Sequence, residues 1–238
     1  MRPILPAIVV FLMFPACHNR HTTPIVQFPN DSIGNVYIID TIIDLNDMDN
    51  AINHDTVIID SQMTFEDAIA GTTAPAGIID QLVLLDVEYY SDDSRLHCGQ
   101  LVINKSIEED IREIFQFIKE IRFPVHQVVP IVAYDWDDNQ SMLANNTSAF
   151  CYRKVAKSQR WSRHATGHAI DINPFFNPIV WKNEYAGRPN VPAGAIYDVD
   201  RSGTFYLEHP VVQEFRKRKF TWGYYFSVYY DYHHFHRK

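Results

Sequence analysis

Two short segments of this chain, far apart in the sequence, each combine histidine with aspartate in an apolar setting. The first contains His164 and Asp171, which are seven positions apart, within residues 162–174. The second contains Asp231 and His234, and His234 lies 63 positions after Asp171. Two histidines and one carboxylate are a ligand set that holds a catalytic metal and leaves one position for water. The fold must therefore bring these two segments together, and this requirement is the strongest constraint on it.

The residues around Asp171 favour a rigid and largely buried carboxylate. If residues 168–173 form a strand, the two neighbouring isoleucines point into the core and Asp171 points to the opposite face. Gly167, just before this strand, allows a turn that brings the imidazole of His164 towards the carboxylate. A buried carboxylate is costly unless it is paired or binds a metal. For this pair alone, a capping or ion-paired aspartate beside a surface histidine is the structural alternative.

The C-terminal segment strengthens the metal interpretation, because three histidines and one aspartate fall within residues 231–236. As a continuous strand, the segment would place Asp231 and His234 on opposite faces. A bend or an end in the strand would let Asp231 reach the attacking water as general base. His236 would lie on the same face of such a strand as His234 and is therefore an additional candidate ligand. Two other histidines are expected to pack or to form hydrogen bonds: His168 and His233.

The first 17 residues have the composition of an export signal. Arg2 precedes an apolar run, residues 4–14, that is too short for a membrane-spanning helix but suits a secretory signal. Cys17 ends a segment similar to the cleavage box of bacterial lipoproteins. We therefore predict export to the bacterial cell envelope, either to the periplasm or as a lipoprotein with a lipid anchor at Cys17. The other two cysteines, Cys98 and Cys151, are then buried thiols or, alternatively, a disulfide pair.

Charge is distributed unevenly along the chain. The net charge of −8 disfavours nucleic acid as a partner. Residues 31–93 hold fourteen acidic side chains and no Lys or Arg, whereas residues 153–163 hold five basic side chains and no acidic one. The basic run leads into the first metal-binding segment and favours anionic substrates, although a solvated basic loop explains it equally well.

The hydrophobic pattern predicts an α+β fold, a small and mainly antiparallel sheet flanked by helices. Residues 82–87 and 100–103 are expected to form a hairpin. The clearest helix begins at Ser106, where Ser106 and Glu109 have capping-box spacing, and ends before Pro124. The remaining predicted elements are short strands within 36–60, a short helix from Thr64 to Gly71, strands at 128–132 and 168–173, and a helix opened by Pro210.

Taken together, the motifs resemble the zinc D-alanyl-D-alanine carboxypeptidase family, which also contains D-Ala-D-Ala dipeptidases and L-alanyl-D-glutamate endopeptidases. The resemblance rests on Ser-x-His-x-x-Gly-x-Ala-x-Asp-Ile from Ser162, on Trp222 with Gly223, and on Asp-x-x-His-Phe from Asp231. The segment 145–153 is also similar to the family's Ser-x-x-Tyr-Arg segment.

This resemblance implies a fold similar to the zinc-binding signalling domain of hedgehog proteins. It implies that zinc is held by His164, Asp171 and His234. It assigns the activation of water to Asp231, and the binding of the substrate carbonyl and developing oxyanion to Arg153. The substrate-binding residues that it implies are Ser148, Tyr152 and Trp222. The expected substrate is a peptidoglycan stem peptide, cut either at its terminal D-Ala or at the internal L-Ala–D-Glu bond.

The chain departs from the family pattern at two positions and in one length. His236 stands where the family commonly has Glu, and Tyr224 where it often has Gly. The stretch between Arg153 and His164 is also short compared with the larger carboxypeptidases. An alternative function is a non-catalytic module, stabilised by zinc, that binds cell wall or a protein. A phage-type lysis enzyme is a third possibility, which the lipoprotein-like start disfavours.

These interpretations divide the chain into three parts. Residues 1–17 are the predicted signal peptide, and residues 18–60 are a tether with an acidic N-terminal segment. Residues 61–238 form the predicted zinc peptidase domain.

Overall fold

A computed structural model describes residues 56–238 of the chain. The predicted signal peptide, the lipid anchor at Cys17 and the strand predicted around residues 36–39 lie outside these residues. Within the described part, no helix is both long enough and apolar enough to cross a membrane. Elements are numbered below from residue 56 onward.

A long hairpin forms the centre of the first sheet. Strands β2 (Leu82–Tyr90) and β3 (Leu96–Asn104) pair antiparallel along their whole length, and β1 (Ile58–Ile59) adds to β3 in parallel. The predicted hairpin is confirmed, and each strand is longer than the apolar runs indicated. Two short helices, α1 (Phe65–Ala68) and α2 (Ala76–Ile79), lie between β1 and β2. Thr64 caps α1 through a capping box with Asp67, in agreement with its predicted N-cap role.

Helix α3 (Glu108–Glu120) packs on β2 through the apolar stripe that the sequence indicated. Ile107, Ile111, Ile114 and Ile118 are fully buried, whereas Ile121 lies beyond the helix and is 41% exposed. The predicted capping box at Ser106 is wrong. A 3-10 turn over Lys105–Ile107 comes first, and Asn104 caps it by accepting a hydrogen bond from the backbone of Ser106.

The second sheet is built from the C-terminal half of the chain. Strand β10 (His234–His236) lies between β6 (Ala169–Asp171) and β8 (Thr221–Trp222), antiparallel to both. Strand β7 (Ile179–Trp181) pairs antiparallel with β9 (Tyr229–Asp231) in a separate two-stranded sheet. Helix α5 (Pro210–Lys217) begins at the predicted proline, buries Val211, Val212 and Phe215, and contacts α3.

The segment between the two sheets carries shorter elements. Strand β4 (Gln127–Val128) pairs in parallel with β5 (Asn146–Thr147), and helix α4 (Asp138–Leu143) lies between them. The strand predicted over 128–132 is therefore shorter, because Pro130 is followed by a 3-10 turn at Ile131–Tyr134. The α+β class is confirmed, with small sheets that are mostly antiparallel and one main core that links both halves.

Gly167 joins the two sheets and provides a test of this packing. Its backbone has φ +69°, and its carbonyl accepts a hydrogen bond from the backbone N–H of Asn104. A Cβ atom added at Gly167 would lie 2.6 Å from that same nitrogen. We expect Gly167→Ala to lower the free energy of unfolding by about 2–4 kcal/mol, through backbone strain and overlap with fixed backbone.

Gly77, in α2, is the matched control, because a Cβ added there meets nothing within 4 Å. Gly77→Ala should change the free energy of unfolding by less than about 1 kcal/mol. Denaturant titration of both variants measures the difference. Equal effects of the two substitutions would mean that the approach of Gly167 to β3 does not constrain the fold.

Candidate metal site

His164 is held in one orientation by its own turn and by a neighbouring carbonyl. It lies in the 3-10 turn Arg163–Thr166, where the Ser162 hydroxyl accepts a hydrogen bond from the backbone N–H of His164. The ring Nδ1 of His164 donates to the backbone carbonyl of Ala149. This bond fixes the tautomer and leaves Nε2 as the nitrogen able to bind a metal, the arrangement usual for metal-binding histidines.

Asp171 and His234 meet because their strands pair. They lie directly opposite each other in the antiparallel pair of β6 and β10, which places both side chains on the same face. His234 Nδ1 is 2.8 Å from Asp171 Oδ1. Behind them, Ile170, Ile172 and Phe235 are fully buried in the core. The alternation predicted for residues 168–173 therefore holds around Asp171, with the isoleucines inward and the carboxylate in the site.

The three side chains converge on one point. His164 Nε2 lies 3.1 Å from His234 Nδ1 and 3.1 Å from Asp171 Oδ2. One ligand atom from each residue lies within 4.8 Å of the other two, and all three residues are buried. Ligand atoms around a tetrahedral zinc are separated by roughly 3.3 Å, given metal–nitrogen distances near 2.0 Å. The donor set and its spacing therefore fit a divalent metal such as zinc.

The electrostatics of the cluster favour an ionised carboxylate. Burial raises the pKa of Asp171, but His164 and His233 outweigh this effect and hold the pKa well below its usual value. Burial lowers the pKa of His164, whereas Asp171 raises it, and the net shift is upward. The carboxylate is thus negatively charged at neutral pH, the form in which it can bind a cation.

Asp231 lies beside this cluster because the C-terminal segment is not one continuous strand. Strand β9 ends at Asp231 and β10 begins at His234, so the alternation predicted across residues 231–236 does not hold. His233 lies between Asp231 and the metal cluster. Its Nδ1 donates a hydrogen bond to the carbonyl of Asn177. Its Nε2 lies 3.0 Å from Asp231 Oδ1 and 3.9 Å from Asp171 Oδ2. The predicted bend between Asp231 and His234 is therefore present.

The contact between His233 and Asp231 is electrostatic rather than a well-aligned hydrogen bond. Asp231 Oδ1 is buried and has no hydrogen-bond partner of good geometry among the described residues. Burial lowers the pKa of His233, but Asp231 and Asp171 together raise it to about 9. His233 is thus a buried cation between two carboxylates, and the bond from its Nδ1 to the Asn177 carbonyl agrees with the hydrogen-bonding role expected for it.

The segment before the first metal motif runs alongside the cluster. Ser148 forms a two-way backbone bridge with Asp171, and the backbone N–H of Cys151 donates to the carbonyl of His164. Arg153 follows, and its guanidinium lies 2.7 Å from a carboxylate oxygen of Asp138 at the start of α4. Burial lowers the pKa of Arg153, but the charges of Asp138 and Asp171 raise it. Cys151 is a buried free thiol, so it does not pair with Cys98.

The aromatic residues assigned to substrate binding have different surroundings. Tyr152 stacks on Trp161 with ring centroids 4.4 Å apart, and Trp161 is 48% exposed. Trp222, in contrast, is fully buried, and its indole N–H donates to the carbonyl of Tyr232. This placement corrects the sequence prediction for Trp222, because the side chain supports the C-terminal strands from behind and has no surface to offer a substrate.

The remaining histidines lie outside the cluster of three. His236 is not among the residues whose ligand atoms converge, and burial together with His234 lowers its pKa to about 4. His168 contacts the hydroxyls of Ser106 and Thr166, in agreement with the hydrogen-bonding role predicted for it.

The contacts of two residues near the cluster could not be predicted from the sequence. Asp138 holds Arg153, but no motif spacing connects a residue in the acidic turn 135–138 with the basic run. Gly223 packs against Asp231 so closely that an added Cβ would lie 2.5 Å from the Asp231 carbonyl oxygen. The Trp-Gly motif named this glycine, although its steric role depends on contacts between separate strands.

Comparison with known proteins supports the motif-based resemblance. Residues 156–237 match the model of a family described as D-alanyl-D-alanine carboxypeptidase. The matched range contains His164, Asp171, Asp231 and His234, and begins just after Arg153. No curated protein and no solved structure matches the chain. The C-terminal part of this chain, which carries the converging residues His164, Asp171 and His234, is therefore similar to the D-alanyl-D-alanine carboxypeptidase family.

Proposed function

We propose that this protein is a zinc-dependent peptidase that hydrolyses stem peptides of peptidoglycan. One observation carries the proposal: two distant segments bring His164, Asp171 and His234 to a single buried point, and His233 connects this cluster to Asp231. The match of residues 156–237 to a peptidase family supports hydrolysis of a peptide bond. The bond cut is either the terminal D-Ala linkage or the internal L-Ala–D-Glu linkage.

His164, Asp171 and His234 would hold the zinc ion through Nε2, a carboxylate oxygen and Nδ1 respectively. Zinc bound there would polarise the scissile carbonyl and make an attacking water more acidic. The carbonyl of Ala149 keeps the imidazole of His164 in the required tautomer. The pairing of β6 with β10 keeps Asp171 and His234 at a fixed separation.

Asp231 is proposed as the general base. His233 contacts one carboxylate oxygen of Asp231, Oδ1, and the other oxygen, Oδ2, would accept the proton from water. The same carboxyl group then donates that proton to the leaving amine. His233 on one side and Gly223 on the other hold Asp231 in position.

Arg153 is proposed to bind the substrate carbonyl and to stabilise the negative charge that develops on its oxygen. The ion pair with Asp138 orients the guanidinium, and the buried Nε of Arg153 has no hydrogen-bond partner in the described part of the chain. Ser148 and Tyr152, in the same segment, are proposed to contact the substrate.

Three further proposals concern the whole chain. The small antiparallel sheet of β6, β10 and β8 supports a hedgehog-like arrangement of the domain. The composition of residues 1–17 supports export to the bacterial cell envelope, with Cys17 as the site of a lipid anchor. Residues 61–238 remain our proposed extent of the peptidase domain.

Metal analysis and digestion of peptidoglycan test the function directly. We expect about one equivalent of zinc per chain and zinc-dependent release of fragments, with mass spectrometry identifying the bond that is cut. Treatment with a chelator should stop the release, and added zinc should restore it. A protein that binds zinc and muropeptides but cuts neither linkage would instead support the non-catalytic module.

A further inference from the structure

A cavity of about 490 Å³, which shares no lining residue with the metal cluster, lies between the first sheet and the loop that precedes α5. It is lined by the end of β2, by the residues that follow α3 and by the loop around Arg201. None of the proposed metal ligands lines it, and neither Asp231 nor Arg153 does. Two of its lining residues are arginines, Arg122 and Arg201.

Both guanidinium groups are held by aromatic rings that also line the cavity. The Cζ atom of Arg122 lies 4.2 Å from the ring centroid of Tyr90. The Cζ atom of Arg201 lies 5.1 Å from the ring centroid of Phe176. A cation over a ring face is attracted to it, and this attraction limits the conformations of the side chain. The rings therefore orient both guanidiniums and leave their N–H groups available.

Neither arginine in this cavity is paired directly with a carboxylate of residues 56–238. Within residues 56–238, neither Arg122 nor Arg201 forms an ion pair or a side-chain hydrogen bond. One carboxylate lines the cavity, that of Asp92, and it already lies 2.5 Å from His126 Nδ1. The cavity thus has an excess of positive charge on a chain whose net charge is −8. Three serine residues add further polar groups to the lining.

We propose that this cavity binds a small anionic ligand whose carboxylate or phosphate oxygens contact Arg122 and Arg201. Guanidinium groups bind such oxygens through two parallel N–H bonds, so two arginines suit a ligand with several oxygens. Tyr90 and Phe176 supply apolar surface for the rest of the ligand. The site is separate from the proposed catalytic centre.

Calorimetric titration of the zinc-loaded chain with inorganic phosphate and with succinate tests the proposal. Succinamide, which has a similar shape but no charge, is the matched control ligand. We expect phosphate, succinate or both to bind, and succinamide not to bind. Tight binding of phosphate alone would identify a phosphate-type ligand, and tight binding of succinate alone a carboxylate-type ligand. If neither anion binds, the proposal is wrong.

Substitution of the two arginines tests whether the anion binds in this cavity. Arg122→Gln and Arg201→Gln should each weaken anion binding about tenfold or more, since each removes a charge-assisted contact. Arg188→Gln is the matched control, because Arg188 also lies over aromatic rings but does not line the cavity. Undiminished binding in the first two variants would place the anion elsewhere, for example on zinc, and would overturn the proposal. Peptide hydrolysis measured on the same variants keeps this result separate from the proposed function.

Discussion

His234→Ala should remove stoichiometric zinc from the protein and abolish peptide hydrolysis. Only His164 and Asp171 would then remain of the three converging ligand residues. Loss of a residue that only supports a metal ligand lowers metal affinity by up to about 100-fold. Loss of His234, a ligand itself, should therefore lower zinc affinity by more than this. Metal analysis after dialysis measures the first effect, and hydrolysis of purified muropeptides measures the second.

His236→Ala is the matched control for this experiment. It removes an imidazole from the same strand, two positions further on, at a residue outside the converging group. We expect this variant to retain zinc and activity. If His236→Ala lost zinc and His234→Ala kept it, the proposed ligand set would be wrong. The third ligand would then be His236, the additional candidate that the sequence offered.

Asp231→Asn should retain zinc but lower the rate of hydrolysis by a factor of about 10² to 10⁴, the usual contribution of a general base. The substitution keeps the shape of the side chain and removes its ability to accept a proton. Because Asp231 is not one of the three converging ligand residues, the metal content should not change. Measurement of kcat beside zinc content separates the two effects.

Asp200→Asn provides the comparison, since Asp200 is an exposed carboxylate in the loop before α5. This variant should match the unmodified protein in rate. Thermal unfolding should accompany both measurements, because Asp231→Asn also weakens the contact with the buried cation His233. Full activity in a folded, zinc-loaded Asp231→Asn protein would refute the role of general base.

Local patterns in the sequence predicted several elements well. Alternation around Asp171 indicated a carboxylate on one face of a strand with isoleucines behind it, and the structure has this arrangement. The helical spacing of isoleucines after Ser106 predicted the buried face of α3. Such patterns are visible in the sequence because side-chain direction repeats with a fixed period in strands and helices.

Contacts between segments that are distant in the sequence could not be predicted from such periodic patterns. Helix α3 begins after a 3-10 turn capped by Asn104, and Asn104 in turn contacts Gly167 through its backbone. Trp222 was expected near a substrate and instead fills the core beside Phe235. The partner of Arg153 is Asp138, fifteen positions earlier and on another element. Each of these outcomes depends on which surfaces meet after folding.

The sequence by itself determined the residue types of the metal cluster and their order, and it indicated the turn at His164 and the strand at Asp171. Only the tertiary structure decided that β10 pairs with β6 in the register that sets His234 opposite Asp171. It likewise decided that the chain turns between Asp231 and His234, so that Asp231 Oδ1 lies 3.0 Å from His233 Nε2 while His234 Nδ1 lies 2.8 Å from Asp171 Oδ1. The physical reason is that a slip of one residue would turn every side chain of β10 to the opposite face, and Phe235 must point into the core, where it stacks on Phe215 of α5.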